Sequence, residues 1–406
     1  MRWIDWQSLT AAAAKLSRQE RRAAAIAGGA HALHDGYTDL IYLMLPLWQA
    51  EFGLSYAALG LLRSMFAGAM AGLQIPAGLL SERFGAAAVL AAGTALAGLG
   101  YCIAGLSTGF AMLLVALVIG GAGASTQHPI ASALVARAFA GPRSLTALGT
   151  YNFSGDLGKM TVPAALSLML LALPWRPALA ILGGTGFVVA IIIFLFTPRY
   201  AGEAAAKHEH ASGGGPQPSS AFAMLLGIGI LDSATRMGFL LFLPFVLTEK
   251  GASLQQVGLA MTLVFAGGAA GKLACAFIGG RIGAIATVWL TEALTAAGIM
   301  ALLPLPLPAA LMLLPLIGIA LNGTSSVLYG SVPDLVAAER RTQSLSIFYT
   351  GTIGSGAIAP VLFGRIGDAL GVWPALTVVA AAALATLPLA ALLRPALARS
   401  YGAGTA

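Results

Sequence analysis

About twelve stretches of this chain are apolar over some 20 residues each, the length of helix that crosses a bilayer core about 30 Å thick. A buried soluble core needs neither so many such runs nor such length. Hydrophobic residues make up 58% of the 406 positions and charged residues 9%, and the mean hydropathy is +0.86. In hydrocarbon only helices and closed barrels satisfy every backbone N–H and C=O. These runs are rich in Ala, Leu and Gly and lack the alternation of barrel strands, so the predicted fold is all-α and integral to the membrane. The spans are drawn at 23–48, 56–80, 86–107, 110–136, 145–171, 175–197, 221–247, 254–279, 284–304, 308–333, 344–363 and 372–393.

The twelve spans divide into six and six. Shifted by 198 positions, Pro46 falls on Pro244, Gly53 on Gly251, Ser55 on Ser253, Gly60 on Gly258, Arg83 on Arg281 and Gly85 on Gly283. Identities spaced along one offset, on glycines, prolines and an arginine, mark an internal repeat of the kind found in transporters. The expected layout is a cytoplasmic segment 1–22, a six-helix bundle 23–197, a linker 198–220, a second bundle 221–393 and a tail 394–406. The linker contains Gly213 to Gly215, Pro216 and Pro218, which reads as a flexible tether.

A net charge of +7 raises nucleic acid as a partner, but the placement of the charges argues against it. Of the 22 Lys and Arg, 15 fall in the two termini and the even-numbered loops. Only Arg176, Lys250 and Arg365 fall in the odd-numbered loops, and Arg63, Lys159, Arg236 and Lys272 lie inside spans. By the positive-inside rule both termini are cytoplasmic, in a multi-pass protein of a bacterial-type inner membrane. The first 22 residues carry Asp5 and Glu20 and end in a basic cluster, unlike a cleaved signal. Trp3, Ile4 and Trp6 would suit an interfacial helix. Cys102 and Cys275 lie in apolar runs and imply no framework, and His208-Glu209-His210 in the linker reads as solvated, so no metal is expected.

The loop after the second span, Gly78-Leu-Leu-Ser-Glu82-Arg83-Phe-Gly85, resembles the signature loop of the major facilitator superfamily. Glutamate stands where that family usually has aspartate, and Ala86 to Ala88 replace the trailing basic residues. The second half echoes it as Gly280-Arg281-Ile-Gly283 without the acid. The resemblance covers about 23–393 and implies gating roles for Gly78, Glu82, Arg83, Gly85 and Arg281. Within the superfamily, His34-Asp35, Asp39, Pro46, Gln74-Ile-Pro76, Gly78 and His128-Pro129 are similar to the fosmidomycin-resistance exporters. The Gly-Pro pair of antiporters is absent from the fifth span, where Asp156 and Lys159 stand instead.

At 100° per residue, His31, His34, Asp35, Thr38, Asp39 and Tyr42 share one side of the first span, across an arc of about 140°. Asn152, Asp156 and Lys159 share a stripe of the fifth, Ser125 and His128 of the fourth, Asp232 and Arg236 of the seventh, and Asn322 and Tyr329 of the tenth. A charge at mid-membrane costs from about 3 to above 10 kcal/mol, so such stripes face a cavity or a partner. The proton-coupling candidates are therefore Asp35, His34, His31, Asp156 and Asp232. The substrate-binding candidates are Lys159, Asn152, His128, Arg236, Tyr42, Asn322 and Tyr329. Several admit a structural role instead: Asp156 with Lys159 and Asp232 with Arg236 as internal ion pairs, Asp39 paired with Arg63, and Glu292 as a buried brace.

These residues predict a proton-coupled secondary transporter working by alternating access, with protons, a small-molecule substrate and the lipid bilayer as its partners. It is expected to be monomeric and to need no cofactor; no Gly-x4-Gly-Lys-Ser/Thr sequence is present for ATP. Export of a small organic compound, drug or phosphonate-like, follows the resemblance. Uptake of a small organic anion follows Lys159 and Arg236. A transport-inactive sensor is the remote alternative, and no zinc-protease or serine-elbow sequence supports an enzyme.

Overall fold

The computed structural model describes residues 16–139, 143–199, 220–336 and 340–403, and the expectations for Trp3 to Trp6 and for the linker around His208 lie outside them. The helices are α1 (Arg18–Phe52), α2 (Tyr56–Gly72), α3 (Gln74–Phe84), α4 (Ala86–Gly105), α5 (Phe110–Ala124), α6 (Gln127–Ala138) and α7 (Arg143–Met169), then α8 (Trp175–Phe196), α9 (Ser220–Glu249), α10 (Leu254–Ile282), α11 (Ala284–Leu302), α12 (Leu307–Ser331), α13 (Arg341–Leu370) and α14 (Val372–Ala403). No strand occurs among the described residues.

Nine segments among the described residues are long and apolar enough to cross a membrane, and the bent pair α2 and α3 makes a tenth. The two remaining crossings are α1 and α7, at 35 and 27 residues long enough to span but more polar. They are the helices that carry Asp35, Asp39, Asp156 and Lys159.

Two of the expected spans are broken. The second turns by 43° at Leu73, between α2 and α3, and the fourth is interrupted at Ser125–Thr126, between α5 and α6. Each break lies three or four residues before a proline, Pro76 or Pro129, whose ring collides with the carbonyl four residues back. Other crossings extend past the drawn limits, α1 beginning at Arg18 with a capping box in which Ser17 and Glu20 satisfy one another's backbone N–H.

The 198-residue repeat is visible atom by atom. Gly53 and Gly251 take positive φ of 62° and 84°, and Gly85 and Gly283 both take 85°. Ser55 and Ser253 each cap the helix that follows. Trp175 donates its indole N–H to Glu51, and Trp373 does the same to Glu249 at the equivalent place. Helix pairing repeats as well: α1 packs on α7 as α9 packs on α13, and α4 on α8 as α11 on α14.

Between the halves, α2 meets α13 and α7 meets α10. A β-carbon on Gly60 would stand 2.2 Å from the Pro360 carbonyl oxygen, and one on Gly364 would stand 2.4 Å from that of Tyr56, so main chain rests on main chain. Asp368 at the end of α13 accepts from the backbone N–H groups of Tyr56 and Ala57 at 2.6 and 3.0 Å. In the equivalent seam Gly258 abuts Ser167, and Thr262 donates to the Met160 carbonyl.

The apolar cores show which end is closed. At the end remote from Arg18 and Ala403, one continuous core takes residues from both halves, among them Tyr37, Phe66, Phe242 and Phe363. Toward the termini that core splits in two. One cluster, around Ala27, Leu134 and Tyr151, contains only first-half residues. The other, around Phe222, Val332 and Phe348, contains only second-half residues. Among the described residues the buried apolar core is shared by the halves at one end and divided at the other, and the charged helix faces lie between.

Candidate functional site

Glycines decide how close α1 and α7 come. A β-carbon on Gly158 would lie 1.8 Å from the Ala32 carbonyl, one on Gly36 would lie 2.3 Å from Val162, and one on Gly155 would lie 2.5 Å from an Asp35 oxygen. Small residues let helices approach in lipid, where little else draws them together. Here the approach places ionisable side chains within reach of each other.

Asp35 is the hub. Its Oδ2 lies 3.2 Å from the Lys159 ammonium on α7, and its Oδ1 lies 3.4 Å from His31 Nε2 one turn back on α1. The other His31 nitrogen, Nδ1, is 2.8 Å from the Tyr151 carbonyl, and the ring stacks on Tyr151 at 4.2 Å between centroids. His128, at the start of α6, sits edge-on to His31 at 5.3 Å.

The expected internal pair of Asp156 with Lys159 is long, at 4.0 Å, because each group has a nearer partner. Lys272, on α10 in the other half, reaches Asp156 at 2.6 and 2.8 Å. The result is a ladder, His31 to Asp35 to Lys159 to Asp156 to Lys272, that begins on the first crossing and ends across the seam. Sequence reasoning left Lys272 out of the site. Its one signal was its alignment with Gln74 under the repeat, two polar positions where the repeat needs none.

A second buried group sits in the other half. Asp232 lies 3.9 Å from Arg236 on the same helix, and Glu292 of α11, 1% exposed, is buried beside Asp232. Asp232, Glu292 and Arg236 thus form a second buried charged group, and the expected brace Glu292 stands next to Asp232.

The remaining candidates scatter. His34 is turned away from Asp35 and bonds Thr94 of α4 at 2.9 Å. Tyr42 is fully buried, with Arg63 over its ring at 5.1 Å and its hydroxyl donating to the Met237 sulfur. Arg63 makes no ion pair with Asp39 among the described residues; both are buried beside Tyr42. Asn322 donates to the Gly318 carbonyl. Tyr329 bonds Thr352 and packs on Phe348, while Asn152 is exposed. Glu82 and Arg83 are exposed at the end of α3, Arg83 over Phe84 and Arg281 over Phe277, with Gly78 and Gly85 framing the turn. The structure brings His31, Asp35, His128, Asp156 and Lys159 together, sets Asp232 and Arg236 apart with Glu292, and shows no ion pair of Glu82, Arg83 or Arg281 among the described residues.

Two consecutive stretches, 27–223 and 225–403, match the family model described as Major Facilitator Superfamily. The chain belongs to the Major Facilitator Superfamily. It is a membrane transporter of that superfamily rather than an enzyme. It is 28% identical over 140 residues to the fosmidomycin resistance protein of Escherichia coli K12, a match spanning 34% of each chain, about a third of that relative's length. It is 25% identical over 375 residues to the probable sulfoacetate transporter SauU of Cupriavidus necator, covering 82% of this chain and 85% of that one. Among solved structures, the superfamily fold is shared with the nucleoside transporter NupG at TM-score 0.76 and 14% identity, covering 93% of this chain and 100% of that one. A bacterial homologue of the lysosomal transporter Spinster matches at TM-score 0.72 and 17% identity, covering 96% and 97%.

Proposed function

We propose that this superfamily member is a proton-coupled secondary transporter of a small organic anion carrying a phosphonate or sulfonate group. The observation that carries this reading is the ladder from His31 to Lys272. An anion placed among Lys159, Lys272 and Arg236 competes with Asp35 and Asp156 for the lysines, and a carboxylate that loses its cation in a dry site takes up a proton. Substrate and proton are then linked through the same groups. Asp232, with Glu292 and Arg236 beside it, is the second proton-coupling candidate.

The bundle ends that stand apart are the cytoplasmic ends, with both termini on that side, as the distribution of Lys and Arg supports. The conformation is thus open to the cytoplasm and sealed outward by the Gly60–Pro360 and Gly258–Ser167 contacts. Rocking about those seams gives alternating access. Glu82, Arg83 and Arg281, exposed here, are placed to meet the opposite bundle when that end closes. Export is the first reading, after the fosmidomycin-resistance relative. Uptake is the second, favoured by Lys159 and Arg236, cations suited to an incoming anion.

Purified protein in proteoliposomes tests this. An imposed pH gradient is expected to drive accumulation of labelled fosmidomycin or sulfoacetate, and Asp35→Asn to abolish that accumulation while leaving gradient-free exchange. No gradient-driven flux of either compound, or full coupling in Asp35→Asn, rejects the proposal. The sign of the gradient that concentrates substrate decides between export and uptake.

A further inference from the structure

His31 has a tautomer fixed by its surroundings. The Tyr151 carbonyl can only accept, so Nδ1 carries a hydrogen and donates it. In the neutral ring Nε2 then presents a lone pair, and that lone pair faces an Asp35 oxygen at 3.4 Å. Nε2 is buried and has no hydrogen-bond partner. Two acceptors confronting one another without a donor between them call for a cation in the gap, either a proton or a metal ion.

A third donor atom points to the same gap. His128 comes from α6, directly after the break at Ser125–Thr126, and one ligand atom from each of His31, Asp35 and His128 lies within 4.8 Å of the others. Metal bonds of about 2.0–2.2 Å place neighbouring ligand atoms about 3.4 Å apart in a tetrahedron. The His31–Asp35 pair has that spacing, and His128 needs a small rotation of a half-buried side chain to match it. Two imidazoles and one carboxylate suit first-row divalent ions of the zinc and nickel class. The Tyr151 carbonyl supplies the outer-shell bond that holds a ligating imidazole in its tautomer. Lys159 sits on Oδ2 of Asp35 and leaves Oδ1 free, and it has Asp156 at 4.0 Å to receive it when a metal charge arrives.

We propose that His31, Asp35 and His128 bind one divalent transition-metal ion, Zn2+ or Ni2+, on the first-half wall of the transport cavity. Three protein ligands leave at least one coordination position for water or for an anionic oxygen of a transported compound. Binding of the ion draws Asp35 away from Lys159 and so loosens the ladder at its upper rung.

The protein has five histidines, His31, His34, His128, His208 and His210. A tag-free full-length His208→Ala/His210→Ala variant therefore keeps no histidine outside the neighbourhood of this site. Titrated with ZnCl2 and with NiCl2 in detergent, that variant is expected to take up one ion per chain, with binding weakened at least tenfold by His128→Gln and by Asp35→Asn. X-ray absorption at the zinc edge on the same variant is expected to show two imidazole ligands, a reading that needs no further substitution and no transport activity. Absence of saturable binding, binding unaffected by both substitutions, or a shell without imidazole overturns the assignment. Loss of proton-driven transport with metal binding intact would reject the function proposed above and leave this site standing.

Discussion

Lys272 of α10 holds both carboxylate oxygens of Asp156 on α7, at 2.6 and 2.8 Å, and so adds a charged tie between the two halves of the molecule. Neither residue has its best partner on its own helix. Lys272 is 36% exposed at the side chain, which tempers the strength of the pair in a structure open on one side.

Replacing one partner at a time separates this bridge from its surroundings. Lys272→Gln and Asp156→Asn should each lower the melting temperature of the purified protein. A double-mutant cycle should return an interaction on the order of 1 kcal/mol, discounted for the exposure of the lysine. Strict additivity would mean the contact is not formed in the membrane.

Gly60→Ala puts a methyl group 2.2 Å from the Pro360 carbonyl oxygen. Overpacking of that kind costs about 1–3 kcal/mol, and here the strain is relieved by separating α2 from α13. The expected result is a chain that still folds but is more accessible at that end. The readout is faster labelling of a cysteine introduced at Ser55, compared with the same cysteine beside Gly60.

Glu51 and Glu249 make equivalent bonds to Trp175 and Trp373, but among the described residues only the first is reinforced by an ion pair, with Arg176 at 2.5 Å. Trp175 is 8% exposed and Trp373 45%. Glu51→Ala should therefore destabilise more than Glu249→Ala, by about 1–2 kcal/mol for bonds to a charged group. Thermal denaturation of the two variants side by side decides it, and equal losses would contradict the difference in burial.

Glu20 precedes the membrane span. Its carboxylate is held below the usual value of 4.5, chiefly by the Ser17 backbone N–H and further by Arg143. A depressed carboxylate stabilises the fold fully above its unfolded value, and the contribution disappears as pH falls through the folded one. The first turn of α1 should fray below about pH 4.5. Amide exchange of residues 18–21, corrected for intrinsic rate, should be faster in Glu20→Gln than in the unsubstituted protein at neutral pH, and the two should converge at low pH.

Much of the architecture could be read from the chain because it is written locally. Apolar runs give crossings, and Pro46, Gly53, Ser55, Gly60 and their partners at the 198-residue offset give the two-fold plan. The charged stripes on the first and fifth spans were likewise visible from helical spacing. What spacing could not supply was pairing across the molecule. Asp156 and Lys159 sit three apart and look like a pair, yet Asp156 binds Lys272, 116 residues away, and Lys159 binds Asp35. That choice depends on the depth at which α1 meets α7, and that depth is set by Gly36, Gly155 and Gly158. His34 shows the converse: one residue from Asp35, it turns to Thr94 because neighbouring positions on a helix point about 100° apart.

The closed seam has one more implication. Where Gly60 meets Pro360 and Gly364 meets Tyr56, the contact is between backbones, so it does not depend on which side chains line the cavity a few turns away. Mutational drift can rewrite the side chains that line the space between the halves while this backbone contact stays intact. The vulnerability is confined to a handful of glycines, and a protein engineer seeking new substrates can leave those fixed and randomise nearly everything that faces the water.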